Sequence, residues 1–162
     1  MSVPLRTMWD LRHFGPADVI ALKPSQLRVA AALDPGCRAN AATFQVRFKA
    51  EHAATWNRYA FQLQPAATVP ALVAQGDASD GPPTNWRLKP ADVPRFRDAQ
   101  ARLAALHKAK KKGPFTIAAS ASKIDCIPKS KQPTHLSIFL RLEAGKPYLV
   151  LFRHARLKQA SN

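Results

Sequence analysis

Apolar and polar residues alternate with a period of two along much of this chain. Leu27, Val29, Ala31 and Leu33 alternate with Arg28, Ala30 and Ala32, and Asp34-Pro35-Gly36 then supplies turn chemistry. Phe44, Val46 and Phe48 share one face of the next segment, with Gln45, Arg47 and Lys49 on the other, the mark of a half-buried antiparallel strand. Past the break Glu51-His52-Ala53-Ala54-Thr55, Tyr59, Phe61 and Leu63 alternate with Arg58, Ala60 and Gln62, so residues 43–64 read as a hairpin with a longer loop. Ile117, Ala119 and Ala121 repeat the pattern, and Leu136, Ile138, Leu140 and Leu142 repeat it again. Glu143-Ala144-Gly145-Lys146 turns the chain into a last strand. There Leu149, Val150 and Leu151 are too apolar for a wet face, which predicts a central position or cover on both sides.

One segment changes period. From Asp92, the apolar residues Val93, Phe96, Ala99, Leu103 and Leu106 recur at three- and four-residue spacing, with Arg95, Arg97, Asp98, Arg102 and Lys108 on the other sides. Asp92 is the expected N-cap, Pro94 fits the first turn, and Gly113 before Pro114 is the expected C′ residue. The sequence Pro-Ala-Asp-Val occurs twice, at Pro16 and at Pro90, and each copy reads as a turn or a helix start. Residues 65–84 are rich in Pro, Ala, Gly, Asp and Ser and read as a mobile loop, with a short helix over 69–74; residues 1–14 read as an extended N-terminal segment. The fold predicted is mainly β: one domain over residues 1–162, an antiparallel β-sandwich of six or seven strands with one amphipathic helix inserted at about 92–112.

Composition adds a partner's sign. The chain has 162 residues, 25 Lys plus Arg and 10 Asp plus Glu, for a net charge of +15. Residues 1–84 hold 8 basic and 6 acidic side chains, whereas residues 85–162 hold 17 and 4. The densest stretch is Lys108, Lys110, Lys111 and Lys112, followed by Lys123, Lys129 and Lys131. A one-sided field of this kind attracts a polyanion: nucleic acid, anionic head groups or an acidic protein face. Lysines near a helix C-terminus also complement the helix dipole, so the run has a structural reading beside the functional one. No apolar run approaches the 18 residues of a membrane-spanning helix, and the first ten residues lack the apolar centre of an intact signal peptide.

Candidate chemistry is sparse. Cys37 and Cys126 both fall at predicted strand ends, where they read either as a disulfide, implying an oxidising compartment, or as two buried thiols. His13, His52, His107, His135 and His154 stand in separate elements with no metal-ligand spacing, and His107 reads as half-buried or capping. There is no Gly-x-Ser-x-Gly elbow and no phosphate-binding glycine loop, so neither catalytic residues nor a cofactor is assigned. Trp9, Trp56 and Trp86 lie near predicted strand ends or loops where bases could stack, but no nucleic-acid-binding motif accompanies them.

Met8-Trp9-Asp10-Leu11-Arg12-His13-Phe14, the stretch Gln26-Leu27-Arg28-Val29-Ala30-Ala31-Ala32-Leu33-Asp34 and the helix over 92–106 together resemble small uncharacterised bacterial envelope lipoproteins. The resemblance implies a short N-terminal stretch, a strand, a hairpin, a helix and further strands, and carries no catalytic residue. The chain departs from it in that the first cysteine, Cys37, lies inside the domain and not at a lipidation site. The function expected is a non-catalytic binding or accessory module of the cell envelope, in the periplasm if a leader precedes Met1 and cytoplasmic otherwise. Its basic half would face an acidic protein surface or lipid head groups through Lys108, Lys110, Lys111, Lys112, Lys123, Lys129 and Lys131. The alternative is a cytosolic protein that grips nucleic acid through its phosphates.

Overall fold

The computed structural model describes residues 15–68, 80–111 and 113–157. Seven strands, β1 (Arg28–Leu33), β2 (Cys37–Phe48), β3 (Asn57–Ala66), β4 (Thr84–Leu88), β5 (Phe115–Cys126), β6 (His135–Arg141) and β7 (Leu149–Arg156), pair antiparallel in one curled sheet. Their spatial order is β5-β2-β3-β4-β1-β6-β7. Among the described residues two helices, α1 (Pro16–Ala21) and α2 (Val93–Lys108), accompany the sheet, each close to a single 3₁₀ turn, Pro24–Gln26 or Pro90–Asp92. The mainly β architecture with one inserted amphipathic helix is the one the alternation predicts. The hairpin expected over 43–64 is the β2–β3 pair, in register from Thr43↔Gln62 to Phe48↔Asn57. Both copies of Pro-Ala-Asp-Val start helical turns, with proline in the first turn where its missing N–H costs nothing.

The inner face of the sheet carries the core. Phe44, Val46 and Phe48 of β2 are buried, as are Phe61 of β3 and Trp86 of β4. Helix α2 closes this face with Phe96, Ala99 and Leu103, the stripe its spacing predicts; the Phe96 ring lies 6.3 Å from that of Phe44 and 5.4 Å from that of Phe61. Each such phenylalanine contributes roughly 1.5–3 kcal/mol by leaving water. Gln100 ties the two helices together: its Nε2 donates to the carbonyls of Val19 at 2.9 Å and Leu22 at 2.6 Å at the end of α1, where the Val19 carbonyl also accepts from the Leu22 N–H.

Several expectations are corrected. The last strand, β7, is neither central nor covered on both sides: it is the edge of the sheet, with Leu151 and Phe152 buried and Leu149 45% exposed. The strands covered on both faces are β1 and β6. On their outer face Ala30, Ala32 and Phe139 form a second small cluster under Tyr148, whose hydroxyl donates to Asn85 Oδ1 at 3.1 Å. Trp86 is buried, so it offers no stacking surface. Asp92 stands at the N-cap position of α2 without a side-chain capping bond, because the 3₁₀ turn Pro90–Asp92 leads into the helix instead. Gly113 is not the C′ residue. That place belongs to Lys110 (φ 56°), whose N–H donates to His107 O while Lys111 N–H donates to Leu106 O, the paired bonds of a Schellman ending. Gly113 serves the close approach of backbones, since a Cβ there would stand 2.1 Å from Lys49 O.

The segment over 1–14, with Trp9 and His13, the helix over 69–74, and Lys112 lie outside the described residues. Within the loop expected over 65–84, Pro65 and Ala66 end β3 and Thr84 begins β4.

Candidate functional site

The lysines nominated from the sequence do not form one patch. Lys108, Lys110 and Lys111 surround the end of α2, just before β5 begins at Phe115. Lys123, Lys129 and Lys131 lie near the far end of β5 or in the turn beyond it, roughly 35 Å along a strand of twelve residues. In the second group, Lys123 has a left-handed backbone (φ 52°) and its carbonyl accepts from Asn40 Nδ2 at 3.0 Å. Lys131 Nζ donates to the carbonyl of Pro35, which ties it to the β1–β2 turn.

The first group is better placed for a partner. Phe48, Leu103, Leu106 and Phe115 line a cavity of about 420 Å³ at the end of α2, with Lys49, His107 and Lys111 also on its wall. His107 is exposed there, not half-buried. Beside it the Trp56 ring carries the Arg47 guanidinium 4.5 Å from its centroid and Lys49 Nζ at 5.1 Å. Trp56 is thus engaged in cation–π contacts within the chain itself. Among the described residues no lysine pairs with a carboxylate, so the charge at this end is unneutralised.

A second basic feature was not nominated from the sequence. Arg28 of β1 stands in register with Arg87 of β4 on one side and Arg141 of β6 on the other. Val29, Trp86 and Leu140 beside them point into the core, so the three arginines share the outer face of three adjacent strands. Like charges directly opposite across strands are destabilising, yet no carboxylate among the described residues pairs with any of the three. Neutral acceptors orient them instead. Arg28 Nη1 donates to the carbonyls of Ser25 and Leu27, both at 2.8 Å, and Arg141 Nη2 donates to Gln26 O at 3.3 Å. With its amide oxygen turned toward Arg87, Gln64 accepts from Nε at 2.8 Å and from Nη2 at 2.9 Å. Burial, then the neighbouring charges of Arg141 and Arg87, hold Arg28 below its usual arginine value, with Tyr148 opposing. Arg141 Nε is buried without a hydrogen-bond partner. The three arginines line a cavity of about 410 Å³ together with Pro65, Ala66 and Ala67. Each arginine sits between two apolar residues (Leu27 and Val29, Trp86 and Leu88, Leu140 and Leu142), and that repeated triplet was the available signal.

Elsewhere the fold joins residues that the sequence leaves apart. His135 and His154 meet edge to face at 6.4 Å between centroids, His154 Nε2 lies 3.0 Å from Asp80 Oδ1, and Asp34 accepts from Thr134. No serine–histidine relay forms here: Ser137 Oγ accepts from the backbone N–H of His154, not from its ring. Cys37 and Cys126, register partners on β2 and β5, are joined in a disulfide. No helix among the described residues is long and apolar enough to cross a membrane. No family model, curated protein or solved structure matches the chain.

Proposed function

We propose that this chain is a non-catalytic binding module of the bacterial cell envelope whose basic surface faces an anionic partner. The observation that carries this reading is the end of α2, where Lys108, Lys110 and Lys111 are exposed and without carboxylate partners beside an apolar cavity shared with Lys49. Cations beside an apolar hollow suit an amphiphile, so of the two partners expected, lipid head groups fit better than an acidic protein surface. Each lysine held near an anionic membrane surface contributes about 1 kcal/mol, and the attraction decays within a Debye length. The Cys37–Cys126 disulfide supports an oxidising compartment.

Sedimentation with vesicles tests the reading. The chain should bind phosphatidylglycerol-containing vesicles at low salt and ignore pure phosphatidylcholine. Replacing Lys110 and Lys111 together by Glu should weaken binding by roughly tenfold or more, since two attractive charges become repulsive. Unchanged vesicle binding by that variant sinks the assignment. Tight binding to duplex DNA with a steep salt slope at near-physiological salt would favour the nucleic-acid alternative in its place.

A further inference from the structure

We propose that Arg28, Arg87 and Arg141 form a binding site for a dianionic phosphate group, carried on a small soluble molecule or on a lipid head group. The site lies on the face of the sheet opposite α2 and does not depend on the lysines at the helix end. Three arginines in register on adjacent strands, whose backbones lie about 4.8 Å apart, are an unfavourable arrangement unless something negative lies among them. Among the described residues no carboxylate pairs with them, and neutral acceptors fix the orientation of each guanidinium. Side chains held this way keep their charge and their remaining N–H groups for an incoming anion, and Arg141 Nε is a buried donor that still lacks an acceptor.

The number of donors selects the anion. One arginine fork already satisfies the two oxygens of a carboxylate. A phosphate monoester presents three oxygens and a charge near −2, which answers a row of three forks better. The hollow of about 410 Å³ exceeds what the phosphate itself fills and leaves room, against Pro65 and Ala66, for the group that bears it.

Calorimetric titration of the full chain with inorganic phosphate at pH 8 and low ionic strength tests the site, with acetate as the carboxylate control. Phosphate should bind saturably at one site, and acetate at least tenfold more weakly. Arg28→Gln and the more exposed Arg87→Gln should each lower phosphate affinity at least tenfold. Both should retain cooperative unfolding, because each relieves like-charge repulsion. The Lys110→Glu/Lys111→Glu variant should bind phosphate within about twofold of the parent, which separates failure of this site from failure of the helix-end surface. Equal affinity for acetate, or phosphate binding lost with the lysine pair and kept in Arg28→Gln, would overturn the proposal. Phosphatidic-acid vesicles that displace phosphate from the parent chain identify the lipid source. Phosphate binding that such vesicles leave untouched identifies a soluble one.

Discussion

Asp34 shows how much one side chain in a turn can hold. Its Oδ2 accepts from the backbone N–H of Thr134 at 2.5 Å and from Thr134 Oγ1 at 2.8 Å, while His135 Nδ1 lies 3.6 Å from Oδ1. Burial alone would push this carboxyl up. The bonds from Thr134, with the nearby His135, outweigh it and hold Asp34 below the usual carboxylate range. A depressed acid contributes stability that is fully present above its ordinary value and is lost as pH falls through its folded value. Asp34→Asn keeps a neutral acceptor and removes the charge. It should therefore cost about 1 kcal/mol at pH 7, the surplus of charge-assisted over neutral hydrogen bonds at a site that solvent still reaches. The gap between the variant and the parent in urea midpoints should narrow as pH falls below the ordinary carboxylate range and through the depressed folded value of Asp34, where the carboxyl takes up its proton. A gap that stays constant throughout that fall would show that the charge contributes nothing.

At the scale of single elements, the end of α2 makes the clearest case. A Schellman ending needs a left-handed residue at C′, and this chain puts Lys110 there, at φ 56°. For an L-residue with a Cβ that conformation costs roughly 1 kcal/mol. Lys110→Gly should accordingly raise the unfolding free energy by about 0.5–1 kcal/mol, read as a higher urea midpoint at an unchanged slope; a lowered midpoint would refute the capping assignment. Sequence reading put the left-handed residue at Gly113 because glycine usually fills that place, and nothing local shows that Gly113 is reserved for the approach of Lys49. The same limit governs the strands. Alternation at Phe44, Val46 and Phe48 identified which face of β2 is buried, since charged neighbours marked the other. Ala30 and Ala32 give no such mark, and their cover, Tyr148, arrives more than a hundred residues later. In β7, Leu149-Val150-Leu151 reads as doubly covered because an apolar run carries no record of whether its strand has one neighbour or two. The arginine row was hidden for a related reason. Each member is legible as a lone polar residue in an apolar strand, but only the register of β4, β1 and β6 brings the three together.

For the whole molecule, the curl of the sheet leaves two edges, and they are secured differently. Edge strand β7 buries Leu151 and Phe152 in the main core. At the other edge β5 is long but shallow: only Cys126 among its twelve residues is buried, and Phe115, Ile117, Ala119, Ala121 and Ile124 are only partly buried against the core, so packing holds it less firmly than β1 or β6. Its attachment comes from the ladder to β2, in register from Phe48↔Phe115 to Cys37↔Cys126, and from the disulfide at the Cys126 end. With the two cysteines 89 positions apart, that bridge restricts more than half of the chain in the unfolded state and contributes roughly 4–5 kcal/mol in the chain-entropy model. A domain with a total stability of about 5–15 kcal/mol depends heavily on such a term. Cys37→Ala with Cys126→Ala should therefore lower the urea midpoint sharply. The parent, denatured without reductant, should show no free thiol. Hydrogen exchange should also change unevenly. In the variant, β5 amides should lose protection first, from the Cys126 end inward, while β1 and β6, covered on both faces, keep theirs until global unfolding. A midpoint that does not move, or β1 exchanging as early as β5, would mean that the edge is held by the ladder alone and that the disulfide is incidental to the fold.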